Sequence, residues 1–163
     1  MALTVKTDTY LSVADADTYW DNRNNSTWSN ASTAEKEKAL REATQYIDGA
    51  FEFIGELADL DQILAWPRVD AYVREGNFKD KLYDNTEIPG FVQDATAELA
   101  LEALNSRLRP AQERGGDIKR EKVDVVEVEY SNFAPSQKSF DFVKLLLKPV
   151  LASSGRNKSL VRA

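Results

Sequence analysis

The side chains best suited to chemistry in this sequence are close pairs of carboxylates: Asp15 with Asp17, Asp59 with Asp61, and Glu127 with Glu129. Such pairs can trade a proton as general acid and base, or hold magnesium or calcium through oxygen. Each has a plainer explanation. Asp15 and Asp17 fall in the first turn of an expected helix, where the helix dipole favours negative charge. Glu127 and Glu129 alternate with valines, as on the polar side of a strand. Asp59-Leu60-Asp61 lacks the ligand series of a calcium loop. The chain contains neither cysteine nor histidine. That removes disulfides, thiol nucleophiles, the usual zinc sites and every triad with an imidazole base. The glycines never take the phosphate-loop spacing ahead of a Lys-Ser or Lys-Thr pair. The expectation is therefore a non-enzyme with no catalytic, cofactor or metal site.

Nucleic-acid chemistry has one local candidate. Tyr72, Arg74, Phe78, Lys79, Lys81 and Tyr83 mix aromatic rings with cations, as a surface that stacks single-stranded bases would. Asp70, Glu75, Asp80 and Asp84 are interleaved with them and oppose phosphate. Charge along the whole chain is uneven. The net charge is −6, yet Lys144, Lys148, Arg156, Lys158 and Arg162 lie between Phe142 and Ala163 with no acid among them, so residues 1–141 carry −11. An acidic body bears a basic tail, which can seek nucleic acid, an acidic protein surface or only solvent.

At 163 residues, 42% apolar and 29% charged, the chain has the size and composition of one soluble domain. No apolar run is long enough to span a bilayer, and Met1-Ala2-Leu3-Thr4-Val5-Lys6 lacks the order of a secretion signal, so no membrane and a cytosolic origin are expected. The pattern predicts a mainly α protein: a small helical bundle with a long loop, a strand-like or β-hairpin arm, a C-terminal helix and a flexible tail. Residues 1–115 form the expected bundle core, and residues 116–163 the C-terminal arm.

Ser12 with Asp15, and Ser32 with Glu35, have the spacing of capping boxes. The first should open a helix that gathers Val13, Ala16, Tyr19 and Trp20 and ends near Arg23 to Asn25. A polar loop follows to Asn30, with Trp28 folded back on the core. The second capping pair opens a helix whose apolar face is Ala39, Leu40, Ala43, Tyr46, Ile47 and Ala50, its end bracketed by Gly49 and Gly55. A short helical turn is expected around Asp61–Ala65, stopped by Trp66-Pro67, and then a long ordered loop with short extended pieces to Asn85. Ile88-Pro89 should start a third helix, apolar at Val92, Ala95, Thr96, Leu99, Ala100, Ala103 and Leu104, running to about Leu108. Lys119–Tyr130 alternates as a half-buried strand, with a phase shift at Val125-Val126 that suits a bulge. It has no evident partner strand elsewhere, so it pairs locally as a hairpin or with another chain. A last helix is expected from about Ser139 to Leu151, with Phe140, Val143, Leu146, Leu147 and Leu151 apolar and Pro149 kinking or ending it. The tail is residues 155–163.

Several segments carry a resemblance to a family of small proteins encoded among the structural genes of tailed phages. They are Gln62-Ile63-Leu64-Ala65-Trp66-Pro67-Arg68, the opening Tyr10-Leu11-Ser12-Val13-Ala14-Asp15-Ala16-Asp17, and Lys38-Ala39-Leu40-Arg41-Glu42-Ala43-Thr44-Gln45-Tyr46-Ile47-Asp48. Ile88-Pro89 with Ala95-Thr96-Ala97-Glu98-Leu99-Ala100, Lys119-Arg120-Glu121-Lys122-Val123, and Leu145-Leu146-Leu147-Lys148-Pro149-Val150-Leu151 with Arg162 complete it. Members have been labelled DnaT-like single-stranded-DNA-binding proteins, and the family is similar to the head–tail connectors, or head-completion adaptors, of long-tailed phages. The resemblance implies a virion protein of the neck, assembled in the bacterial cytoplasm. There it would form a ring, typically of twelve subunits, beneath the portal protein, while remaining able to exist as a monomer in solution. DNA would pass through the channel without specific binding, and a tail-side stopper or tail-completion protein would attach below. The expected inter-subunit contacts are Val123, Val125, Val126, Val128 and Tyr130, and the expected portal-docking residues are Arg156, Lys158, Leu160, Val161 and Arg162. The alternative is a single-stranded-DNA-binding module.

Overall fold

A computed structural model describes residues 3–74, 76–109, 120–123, 126–129 and 140–152. The protein is mainly α. Helix α1 spans Val13–Asp21, α2 Ser26–Asn30, α3 Thr33–Ala50, α4 Gly90–Asn105 and α5 Asp141–Leu147. Two short antiparallel pairs accompany them: β1 (Glu56–Leu57) with β2 (Arg68–Val69), and β3 (Arg120–Val123) with β4 (Val126–Glu129). No helix of the described residues is long and apolar enough to cross a membrane.

Helix starts follow the capping chemistry of the sequence. At Ser32 the hydroxyl accepts from the Glu35 backbone N–H while the Glu35 carboxylate accepts from the Ser32 N–H at 2.8 Å, a complete capping box. Ser12 caps α1 through the Asp15 N–H at 3.1 Å. Asp15 answers the Ser12 hydroxyl rather than its backbone N–H. The expected loop at 24–30 is instead helical over α2, because the Asn25 side chain accepts from the Trp28 N–H and supplies an N-cap. Trp28 is fully buried, as its lone bulk among polar residues implied. Its indole N–H donates to Asp17 Oδ1 at 2.7 Å, and the same oxygen takes the Lys36 ammonium at 2.8 Å. One carboxylate thus ties α1, α2 and α3 together, and gives the mostly buried Lys36 a counter-charge.

Helices α3 and α4 are the centre of the core. Ala39, Leu40, Ala43 and Ile47 from α3 are buried with Val92, Ala95, Leu99 and Ala100 from α4, the small residues allowing close approach. Val143, Leu147 and Val150 from the C-terminal segment enter the same cluster. Pro149 ends α5 in a single 3-10 turn, Lys148–Val150, so the expected helix to Leu151 is shorter as an α-helix. Beyond it, Ile54 N–H donates to Val150 O at 2.9 Å and Ala152 N–H to Glu52 O at 2.8 Å, fastening the returning chain to the residues after α3.

Other expectations are corrected. Gly49 lies inside α3, whereas Gly55, at φ +75°, takes the left-handed region. A Cβ there would lie 2.3 Å from the Val69 carbonyl oxygen, so the close β1–β2 crossing admits only glycine. Asp61–Ala65 forms no helical turn, because the Gln62 amide donates to Leu64 O and Pro67 O and competes with helical bonding. Pro89 is the N-cap of α4 rather than part of its first turn. Of the two pairings left open for the alternating segment, the local hairpin forms: Val123 pairs with Val126, Lys122 with Glu127, Glu121 with Val128 and Arg120 with Glu129. Where a bulge was expected, the chain reverses between Val123 and Val126.

Candidate functional site

The segment around Trp66-Pro67-Arg68 is a structural clamp. Tyr10 and Trp66 are fully buried, and the Trp66-Pro67 peptide is cis. The Tyr10 hydroxyl donates to Asp48 Oδ1 and accepts from the Trp66 N–H at 3.3 Å, while Asp48 Oδ2 accepts from the Ala65 N–H at 3.2 Å. Arg68 spends its guanidinium on backbone carbonyls: Nε to Ile54 at 2.7 Å, Nη1 to Ala65 at 3.1 Å and Nη2 to Gly55 at 2.6 Å. Burial pushes the Tyr10 pKa well up, and the neighbouring Asp48 charge adds to it. Burial also raises the Asp48 carboxyl above its ordinary range, against the hydrogen bonds from Tyr10 and Ala65 and the charge of Arg68.

The clamp displays a loop. Residues 58–63 leave β1 and return to β2 with Leu60 94% and Ile63 79% exposed, between the exposed carboxylates Glu56, Asp59 and Asp61. Asp59 N–H donates to the Gln62 side chain at 2.9 Å, and Asp61 N–H to Asp59 Oδ1 at 2.9 Å, so the loop is held in shape from within.

The second feature is a groove of about 630 Å³ between α3 and the end of α4, where Lys38, Arg41, Gln45 and Tyr46 face Arg107 and Arg109. Four cations line it within a body of net negative charge. Among the described residues its one acid, Glu42, accepts from the Leu108 N–H at 2.7 Å, which fixes the chain that carries the two arginines. Arg109 stacks on Tyr46, with Cζ 5.0 Å from the ring centroid. Gly49 makes room for it, since a Cβ there would lie 2.8 Å from Arg109 Nη1. Arg41 also has Glu37 at 3.7 Å, a surface pair of small energetic weight.

This groove was not apparent in the sequence. Lys38 and Arg41 stand among Glu35, Glu37 and Glu42, and Arg107 and Arg109 are more than sixty positions away. The helical spacing of Lys38, Arg41 and Gln45 was the available signal. The candidate stacking set divides. Phe78 is exposed with the Lys81 ammonium 5.1 Å from its ring centroid, whereas Tyr83 packs between Trp66 and Phe91. Of the expected inter-subunit residues, Val123, Val126 and Val128 lie in the hairpin, and Val125 and Tyr130 lie outside the described residues. So do Arg156, Lys158, Leu160, Val161 and Arg162. Among the described residues no group of three or more acidic side chains could hold a metal ion.

The fold is that of a small, mainly helical protein, with a groove lined by cations and Tyr46. The family described as "Putative DnaT-like ssDNA binding protein" matches residues 2–163, and the chain belongs to it. The chain matches no curated protein and no solved structure.

The clamp has a pH signature. A carboxyl whose folded pKa is raised contributes stability that is fully present below the unfolded value and lost as pH rises through the folded one. The unfolding free energy of the wild type minus that of Asp48→Asn should therefore fall as pH rises above the ordinary aspartate value of about 4. Tyr10→Phe strips a partner from both Asp48 and the Trp66 N–H, and should cost about 1–3 kcal/mol. Denaturant titrations across pH measure both, and a difference independent of pH would contradict the assignment.

Proposed function

We propose that this protein is a structural head–tail adaptor of a long-tailed phage, forming a ring beneath the portal through which DNA passes and to which the tail side attaches. The observation that carries the reading is the β3–β4 hairpin, inserted in the sequence between two helices of one core. An isolated two-stranded hairpin is marginal in water, and among the described residues no further strand pairs with its edges. The valines at 123, 126 and 128 with their partners at 125 and 130 then supply contacts to the neighbouring subunit. The sequence resemblance to phage connectors supports the same role.

In this reading the helices from Ser12 to Leu108 pack side by side around the ring. The acidic body suits a channel wall, because like charge keeps DNA from adhering as it passes. Arg156, Lys158, Leu160, Val161 and Arg162 engage the portal. The role is one of assembly in the virion neck, built in the bacterial cytoplasm, with a stopper or tail-completion protein on the far side. No catalysis and no cofactor enter it.

The basic groove favours a second reading, a single-stranded-DNA-binding module. Lys38, Arg41, Arg107 and Arg109 would take phosphates. That reading expects binding of a fluorescent oligonucleotide at low salt, weakened by added salt. It should weaken again in Gly49→Ala, whose new methyl displaces Arg109 while removing a helical glycine that costs about 1 kcal/mol relative to alanine.

The adaptor reading is tested by removing residues 155–163. The shortened chain should keep its folded-state circular dichroism and unfolding midpoint, yet fail to attach to DNA-filled heads in a complementation assay. Infectious particles completed by the shortened protein would contradict the docking role of the tail.

A further inference from the structure

The clamped loop and the basic groove are complementary in three respects. The loop presents Glu56, Asp59 and Asp61, and the groove presents Lys38, Arg41, Arg107 and Arg109. The loop exposes Leu60 and Ile63, which have no cover among the described residues, and the groove is lined, beside its cations, by the partly buried Tyr46 and Ala103. The loop is also held rigid before any partner arrives, by the β1–β2 pairs Glu56 with Val69 and Leu57 with Arg68 and by the bonds of Gln62. Large apolar side chains fixed in solvent are unfavourable for a lone monomer, and their preorganisation lowers the entropy cost of docking.

No residue of the loop lines the groove, so the two are separate surfaces of the chain. One copy can therefore offer its loop to a second copy while its own groove receives the loop of a third.

We propose that loop 56–63 of one subunit docks in the Lys38–Arg41–Tyr46–Arg109 groove of the next, making the head-to-tail contact of the ring. The contact is heterologous: loop meets groove and never loop meets loop. Repetition of one such contact closes into a ring when the rotation permits. Acidic loop against basic groove also sets the direction of addition, because loop-to-loop and groove-to-groove encounters bring like charges together. A nucleic acid would satisfy the cations but leave Leu60 and Ile63 uncovered, which favours a protein segment as the occupant. The inference rests on the ring reading above and names the surfaces that build it.

The absence of native cysteine makes the contact directly readable. Leu60→Cys and Gln45→Cys both change exposed residues, as does a control, Ala14→Cys on α1. Mixed Leu60→Cys and Gln45→Cys chains should form a disulfide-linked heterodimer about ten-fold faster than Leu60→Cys with Ala14→Cys, reflecting the raised local concentration. Chains carrying both substitutions should give a ladder of linked oligomers. Adding Asp61→Lys should slow the reaction, and adding Lys38→Glu with it should restore much of the rate. Linkage no faster than the control overturns the loop–groove pairing, and linkage unaffected by the charge reversals overturns its electrostatic basis. Rings seen by electron microscopy without the linkage would leave the adaptor reading standing and reject this contact. A linked ladder with no ring on portal particles would support the contact and reject the adaptor reading. An absent linkage together with an oligonucleotide shift lost in Arg109→Ala would assign the groove to nucleic acid and overturn the proposal.

Discussion

The hydrogen-bonded meeting of Tyr10, Asp48 and the backbone at Ala65-Trp66 is the constraint on which the rest of this structure depends. It joins the segment before α1, the last turn of α3 and a loop that would otherwise have no reason to lie against either. Buried polar groups hold a geometry because each loses more when unpaired than it gains when paired. Arg68 extends the same logic to the carbonyls of Ile54, Gly55 and Ala65, which no secondary structure would satisfy. With those contacts set, Phe53 and Ile54 can receive the returning strand-like piece at Val150–Ala152, and α5 can close the core.

The segment that carries the family resemblance is thus scaffolding in its buried half and display in its exposed half. Gln62 and Arg68 fix the loop, while Leu60 and Ile63 project from it. The groove shows the same division. Glu42 and Gly49 are spent on placing Arg107–Arg109 and on giving Arg109 its seat on Tyr46. Side chains that position others account for much of what would pass as surface charge in the sequence.

Local chemistry was readable where partners are near in sequence. Ser32 with Glu35 and the apolar spacing of α3 and α4 each specify their elements within a few residues, and Pro149 ends α5 as proline must. Helix α2 was hidden because the residue that caps it, Asn25, belongs to a run whose composition is that of a loop. The hairpin was visible as alternation, but its reversal between Val123 and Val126 mimics a bulge in one-dimensional pattern. The groove was invisible for a different reason: its cations come from two helices, each also carrying acids, and only α3–α4 packing gathers them. The network of Asp48 likewise joins positions 10, 48 and 66, beyond any local rule.

Among the described residues, a basic groove, an acidic loop held in shape from within and a hairpin are the surfaces that the proposed ring would set against other copies. We propose that this chain is built to assemble. Negative-stain electron microscopy of the purified protein, alone and mixed with portal particles, is the direct test. Closed rings stacked on the portal are expected, whether or not rings form in its absence. Portal particles left bare, with the protein remaining as single particles at every ratio, would contradict it.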